Sequence, residues 1–221
     1  MRITVLYDNE TLKKGLIPSH GFSSLIEDEN LSILFDTGWN GPILLKNIEK
    51  LQKDLSKVKY IFLSHQHWDH IGGLPDVLHK IHNKVKFIIP SSFTPGFKKS
   101  LSDYGELIEV GERPYEFIPE YLSTGEMDTS LGIKEHALLI NGKKRILVVG
   151  CAHPDVYNIL QRSGKVDMLI GGFHDFERIE LLGNMVKEKI FPCHCTKKKN
   201  EILTFYKNKS QKCGIGLEVG V

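Results

Sequence analysis

Short runs of β-branched and other apolar residues recur along this chain, separated by stretches whose apolar residues return every three or four positions, and that alternation admits few folds. The strand-like runs are 3–7, 23–27, 31–35, 60–63 and 86–89, followed by 137–140, 145–149, 167–170 and 189–191. Helical spacing covers 43–51, 74–82, 156–161, 178–188 and 199–206. The reading is an α/β protein. Residues 90–130 are richer in Pro, Gly and Ser and weakly periodic, yet Phe93, Phe97, Tyr104, Tyr115, Phe117 and Tyr121 give them much to bury. They read as a loop-rich connection between two α/β halves of one domain spanning 1–221.

Composition narrows the partners. With 221 residues and 41% hydrophobic side chains the chain can bury a large core. Lys+Arg 29 against Asp+Glu 27 leaves a formal charge of +2, too little to draw in a polyanion, so no nucleic acid partner is expected. No apolar stretch approaches the roughly 20 residues of a membrane helix. Met1 to Tyr7 is too short for a signal peptide, so the expected location is cytoplasmic with no membrane partner. Cysteines at 151, 193, 195 and 213 are too sparse for a disulfide scaffold and read as reduced thiols. Cys193-His194-Cys195 also lacks the paired spacing of a structural zinc ribbon. The glycine-rich end, 214–221, reads as a final edge strand.

Four of the apolar runs lead into histidine: 60–64 into His65, 145–152 into His153, 167–173 into His174 and 189–193 into His194. Open α/β sheets place ligand sites beyond the carboxyl ends of their strands, so histidines distant in sequence can meet there. A lone histidine is most often a hydrogen-bonded core or surface residue, but four at equivalent positions weaken that reading. The densest signal is His65-Gln66-His67-Trp68-Asp69-His70. Residues two apart do not share a helix face, so His65 and His67 belong on a loop that turns both imidazoles toward one ion, with Asp69 and His70 aimed at a neighbouring position. Gly72-Gly73 permits a sharp turn before the helix near Leu74-Pro75. Asp36, in Asp36-Thr37-Gly38, is either a carboxylate orienting an imidazole from behind or a plain turn-forming residue.

The H-x-H-x-D-H run after a strand, with the upstream Asp-Thr-Gly turn, resembles the metallo-β-lactamase superfamily over nearly the whole chain. Gly150-Cys151-Ala152-His153-Pro154, Gly171-Gly172-Phe173-His174 and Pro192-Cys193-His194-Cys195-Thr196 look like the branch containing the dihydropterin ribofuranosylaminobenzene phosphate synthases. The resemblance implies a four-layer αβ/βα sandwich with two metal ions at the sheet edge. Carried over by position, His65, His67 and His153 would bind one ion, and Asp69, His70 and His194 the other. The chain departs from the pattern where the superfamily supplies a bridging Asp, here Gly150-Cys151, which leaves open whether His153 takes that place or one site is weak. Ala152, Asp155 and Lys197 also differ from the branch, so its substrate does not transfer.

Neutral imidazoles with one carboxylate suit Zn²⁺ first, with Mn²⁺ or Fe²⁺ as alternatives. The expected activity is hydrolysis of a small, anionic, phosphorylated or pterin-like substrate by metal-activated water, with Asp69 orienting the nucleophile. His174 is the candidate proton donor or substrate ligand, since it has no place in the six-ligand set. Thr196 reads as the cap of the helix toward Tyr206, which would set Lys197 and Lys198 beside the site to bind the substrate's anion. Two other classes stay open. One is an iron-dependent oxidoreductase, although oxygen-reducing diiron relatives carry Glu where this chain has His67. The other is a non-catalytic metal-binding module using Cys151, Cys193 and Cys195.

Overall fold

The computed structural model describes residues 1–29 and 31–220. Strands β1 (Arg2–Tyr7), β2 (Ser23–Asp28) and β3 (Leu31–Phe35) form an antiparallel meander. Helix α1 (Gly41–Lys50) opens where Asn40 accepts the Ile43 N–H and Pro42 sits in the first turn, and it carries the chain over to β4 (Val58–Phe62), parallel to β3. Helices α2 (Trp68–Ile71) and α3 (Leu74–Lys80) lead to β5 (Val85–Pro90), and α4 (Pro95–Ser102) to β6 (Gly105–Val110), again in parallel.

The second half begins with β7 (Tyr115–Ile118) and β8 (Tyr121–Ser123), then a short ladder of β9 (Met127–Asp128) with β10 (Lys134–Glu135). Next come β11 (Leu138–Asn141), β12 (Arg145–Val149), α5 (Val156–Ser163), β13 (Val166–Gly172), α6 (Leu182–Met185), β14 (Val186–Cys193) and α7 (Lys199–Phe205). The last strand, β15 (Glu218–Gly220), returns to pair with β1, so the expected terminal edge strand is present up to Gly220, Val221 lying outside the described residues. The two large sheets run β15-β1-β2-β3-β4-β5-β6 and β14-β13-β12-β11-β8-β7.

Side-chain alternation assigns the layers. Along β12, Ile146 and Val148 face the core between the sheets, while Leu147 and Val149 face the outer helices; in β4, Phe62 points inward and Ile61 outward. The inner core stacks Phe35 on Phe62 with ring centroids 5.2 Å apart. Helices α1 and α3 cover the first sheet through Leu44, Ile48, Leu74 and Val77, and α5 covers the second through Val156, Ile159 and Leu160. The result is the four-layer αβ/βα sandwich.

Three expectations change. Residues 90–130 hold α4 and β6 to β9 instead of loop, and their signal is faint because β6 and β7 are sheet edges with incomplete burial alternation. The stretch 178–188 is not one helix: a 3₁₀ turn, Ile179–Leu181, passes into α6, and Val186 already pairs with Val166. Parallel pairing there outweighs the local helical spacing, which Gly183 and Asn184 support poorly. Finally, Cys193 and Cys213 are not free thiols but a disulfide, because the end of β14 and the C-terminal segment meet, both fully buried, in the inner core. No helix among the described residues is long and apolar enough to cross a membrane.

Candidate metal centre

Because β4, β12, β13 and β14 each end toward the same edge of the sandwich, the histidines that follow them converge. Leu63 and Ser64 continue from β4, His65 and His67 occupy the turn, and the single turn of α2 carries Asp69 and His70. The turn is held close to the β3 end: a side chain at Gly73 would meet the Thr37 carbonyl oxygen at 2.3 Å, and one at Gly72 the Trp39 carbonyl oxygen at the same distance. Five non-glycine residues here have positive φ, namely Asp36, Ala152, Asp155, His174 and His194. Each such residue costs roughly 1–3 kcal/mol, and strain concentrated at one edge is the mark of a functional site.

Two donor groups result. His65, His67 and His153 form the first, and Asp69, His70, Cys151 and His194 the second, with the donor atoms of each within 4.8 Å of one another. Within them His65 Nε2 lies 3.1 Å from His67 Nδ1, His70 Nε2 3.0 Å from Cys151 Sγ, and His194 Nε2 3.1 Å from Asp69 Oδ2. Ligands on one tetrahedral zinc ion sit about 3.4 Å apart, so the spacings fit shared ions. Orientation fits as well. The Nδ1 atoms of His65, His70, His153 and His194 each meet an oxygen, those of Ser64 Oγ at 2.9 Å, Asp36 at 2.7 Å, Glu135 at 2.7 Å and Asn9 at 2.9 Å, which turns Nε2 toward the group.

Electrostatics favour the ligating forms of His65, His67, His70 and Asp69. Burial, reinforced by neighbouring imidazoles, pushes His65 and His67 below the ordinary histidine range and His70 down to about 3, so the rings stay neutral. Burial would raise Asp69, but the His194 hydrogen bond, with the His70, His194 and His65 rings close by, outweighs it and holds the carboxyl low. Cys151 is buried and its thiol pushed well up by that burial, with Cys195 adding to the effect. Asp36 is also raised by burial, while accepting from the Ser64 N–H at 2.7 Å and the Ser64 hydroxyl at 2.7 Å.

Several contributors escape sequence reasoning. Glu135, buried at the end of β10, accepts from the Cys151, Ala152 and His153 N–H groups at 3.0, 2.9 and 2.9 Å as well as from the His153 ring. Burial would raise it, but His65 and His153 hold it far down. Asp8 accepts the His194 N–H at 2.8 Å, and His20 Nε2 stands 3.2 Å from Asp69 Oδ2. No spacing rule relates any of these to the histidine run.

His174 joins neither donor group; its ring lies 4.8 Å from that of His153, and it lines a polar cavity of about 230 Å³ with His153, Asp155 and Asp175. Lys197 Nζ is 2.5 Å from Asp175, and Lys198 pairs with Glu201 at 3.4 Å. Thr196 is not a helix cap. Its hydroxyl accepts the Phe173 N–H and donates to the Cys193 carbonyl, and α7 starts three residues later.

The sequence model of the metallo-beta-lactamase superfamily matches residues 16–155, most of the chain and all of the H-x-H-x-D-H turn. An uncharacterised protein of Methanocaldococcus jannaschii is 28% identical over 232 aligned residues, spanning 88% of this chain and 90% of its own. The 7,8-dihydropterin-6-methyl-4-(beta-D-ribofuranosyl)-aminobenzene-5'-phosphate synthase of the same organism is 25% identical over 259, spanning 89% and 88%. A crystal structure of a metal-dependent hydrolase of the beta-lactamase superfamily superposes with a TM-score of 0.78 at 24% identity, covering 100% of this chain and 99% of that one. That likeness establishes the shared fold.

Proposed function

The chain belongs to the metallo-beta-lactamase superfamily, and from that premise we propose that it is a metal-dependent hydrolase with two adjacent divalent ions, zinc first among them. The observation that carries the reading is the juxtaposition of two donor groups, with the imidazoles of His65, His70, His153 and His194 fixed from behind by oxygen partners. His65, His67 and His153 would hold one ion. Asp69, His70 and His194 would hold the other, with Cys151 as a further donor beside His70. Bound there, the ions would supply Lewis-acid activation of water and of the substrate's oxygen.

The rest falls to the chain's own groups. Asp69 Oδ2 stands 3.1 Å from His194 Nε2 and 3.2 Å from His20 Nε2, and its other oxygen would orient a water for attack. His174, at the polar cavity, acts as proton donor or hydrogen-bond partner to the substrate. Lys197 and Lys198 pair with exposed carboxylates, Asp175 and Glu201, for which a phosphoryl or carboxylate group of a small substrate can substitute. The test is to strip the protein with chelator, add back Zn²⁺, Mn²⁺ or Fe²⁺, and follow both bound ions and hydrolysis of p-nitrophenyl phosphodiesters. Two equivalents with restored turnover are expected. A wild-type protein that takes up no ion would end the proposal.

A further inference from the structure

Behind the histidine turn, between α2–α3 and α4, lies a cavity of about 380 Å³ whose character is unlike the polar one beside His174. Ile71, Leu74 and Leu78 make one wall and Phe97 and Leu101 the other. Its rim carries two exposed aromatics, Trp68 and Tyr104, with 70% and 46% of their surface open to solvent. The Trp68 indole N–H and the Tyr104 hydroxyl, on these exposed rings, are open to a ligand at the rim. An apolar interior with a few free polar handles at its mouth, at the small end of the roughly 300–1,000 Å³ of ligand pockets, describes a small-molecule site. It is too small for a helix of about 10 Å diameter.

The cavity is tied to the chemistry by covalent neighbours. Gln66, on its lining, sits between His65 and His67, and Trp68 immediately precedes Asp69. Gln66 also clamps the turn to the start of α4: its Nε2 donates to Thr94 Oγ1 at 2.9 Å, and Thr94 N donates to its Oε1 at 3.0 Å. We infer that this cavity receives a planar aromatic body of the substrate, with Trp68 and Tyr104 closing over its ring faces and setting specificity, while the anionic end reaches the donor groups. The inference deepens the hydrolase reading and rests on it for the word substrate; the pocket's affinity for an aromatic ring does not.

Two measurements separate the inference from that reading. In a Trp39→Phe protein, where Trp68 is the one remaining indole, 1-naphthalenesulfonate should quench the fluorescence saturably, with metal-stripped protein behaving alike. Ser100→Phe, which projects a ring into the cavity from α4, should weaken that binding at least tenfold. The second measurement compares two phosphodiesters with the same p-nitrophenyl leaving group, one bearing 1-naphthyl and the other methyl. Wild type should prefer the naphthyl ester at least tenfold in kcat/KM, and Ser100→Phe and Trp68→Ala should each remove the preference by raising KM for that ester alone, at unchanged metal content. Saturable quenching without turnover of either ester would keep the pocket and sink the hydrolase. Turnover without quenching, or a preference that survives both variants, would overturn the pocket.

Discussion

Glu135 shows how a single buried carboxylate can orient a candidate ligand. Its four contacts fix the 151–153 turn and choose the tautomer of His153, and a carboxylate behind a ligating imidazole is worth about 10–100-fold in metal affinity. Glu135→Gln is therefore expected to weaken the ion at His65, His67 and His153 by about that factor while the second ion stays; titration of metal-stripped protein followed by calorimetry checks it. His67→Ala and His194→Ala should each cost one equivalent of metal and at least a hundredfold in turnover, whereas His174→Ala should keep its metal and lose turnover alone. Loss of an equivalent in the His174 variant would make that residue a ligand. The histidine run was readable because its residues are crowded into six positions. Glu135, Asp8 and Asn9 were not, since they reach the site only through folding, Asn9 meeting His194 from 185 residues away.

At the scale of elements, regular pairing in the buried interior is what made the sequence readable, and edges are where it failed. β12 and β13 are buried on both faces over nearly their whole length and announce themselves as apolar runs, while β6 and β7 expose residues on both faces, Glu106, Glu109 and Glu116 among them. The misread 178–188 stretch shows a tertiary pairing overriding a local preference. The disulfide fastens β14, the strand that delivers His194, to the segment leading into β15. Closing a loop of this length stabilises by about 3 kcal/mol, so Cys213→Ala should lower Tm by roughly 5–10 °C under oxidising conditions. Calorimetry with and without reductant checks this, and equal melting of the two proteins in both buffers would show the bond to be inconsequential.

For the whole molecule, the sandwich is a frame with its own core, separate from the candidate metal centre at its edge: Phe35, Phe62, Ile140 and Val148 pack between the sheets, with the buried His136 ring stacked on Phe62. Metal removal should accordingly leave a folded protein. An ion bound at a hundred times its Kd stabilises by about 2.7 kcal/mol, so chelation should lower Tm by roughly 5–10 °C without loss of secondary structure, as followed by circular dichroism. Asp36 adds a further consequence. One of its oxygens takes the His70 ring and the Ser64 hydroxyl together, and that hydroxyl in turn meets the His65 ring. In the two-ion reading the two rings would serve different ions, and they are linked through a single carboxylate. Loading of two ions should then be cooperative, the first ordering the seat of the second, and the uptake curve of wild type should be steeper than that of Asp36→Asn, in which the two ions arrive as strangers.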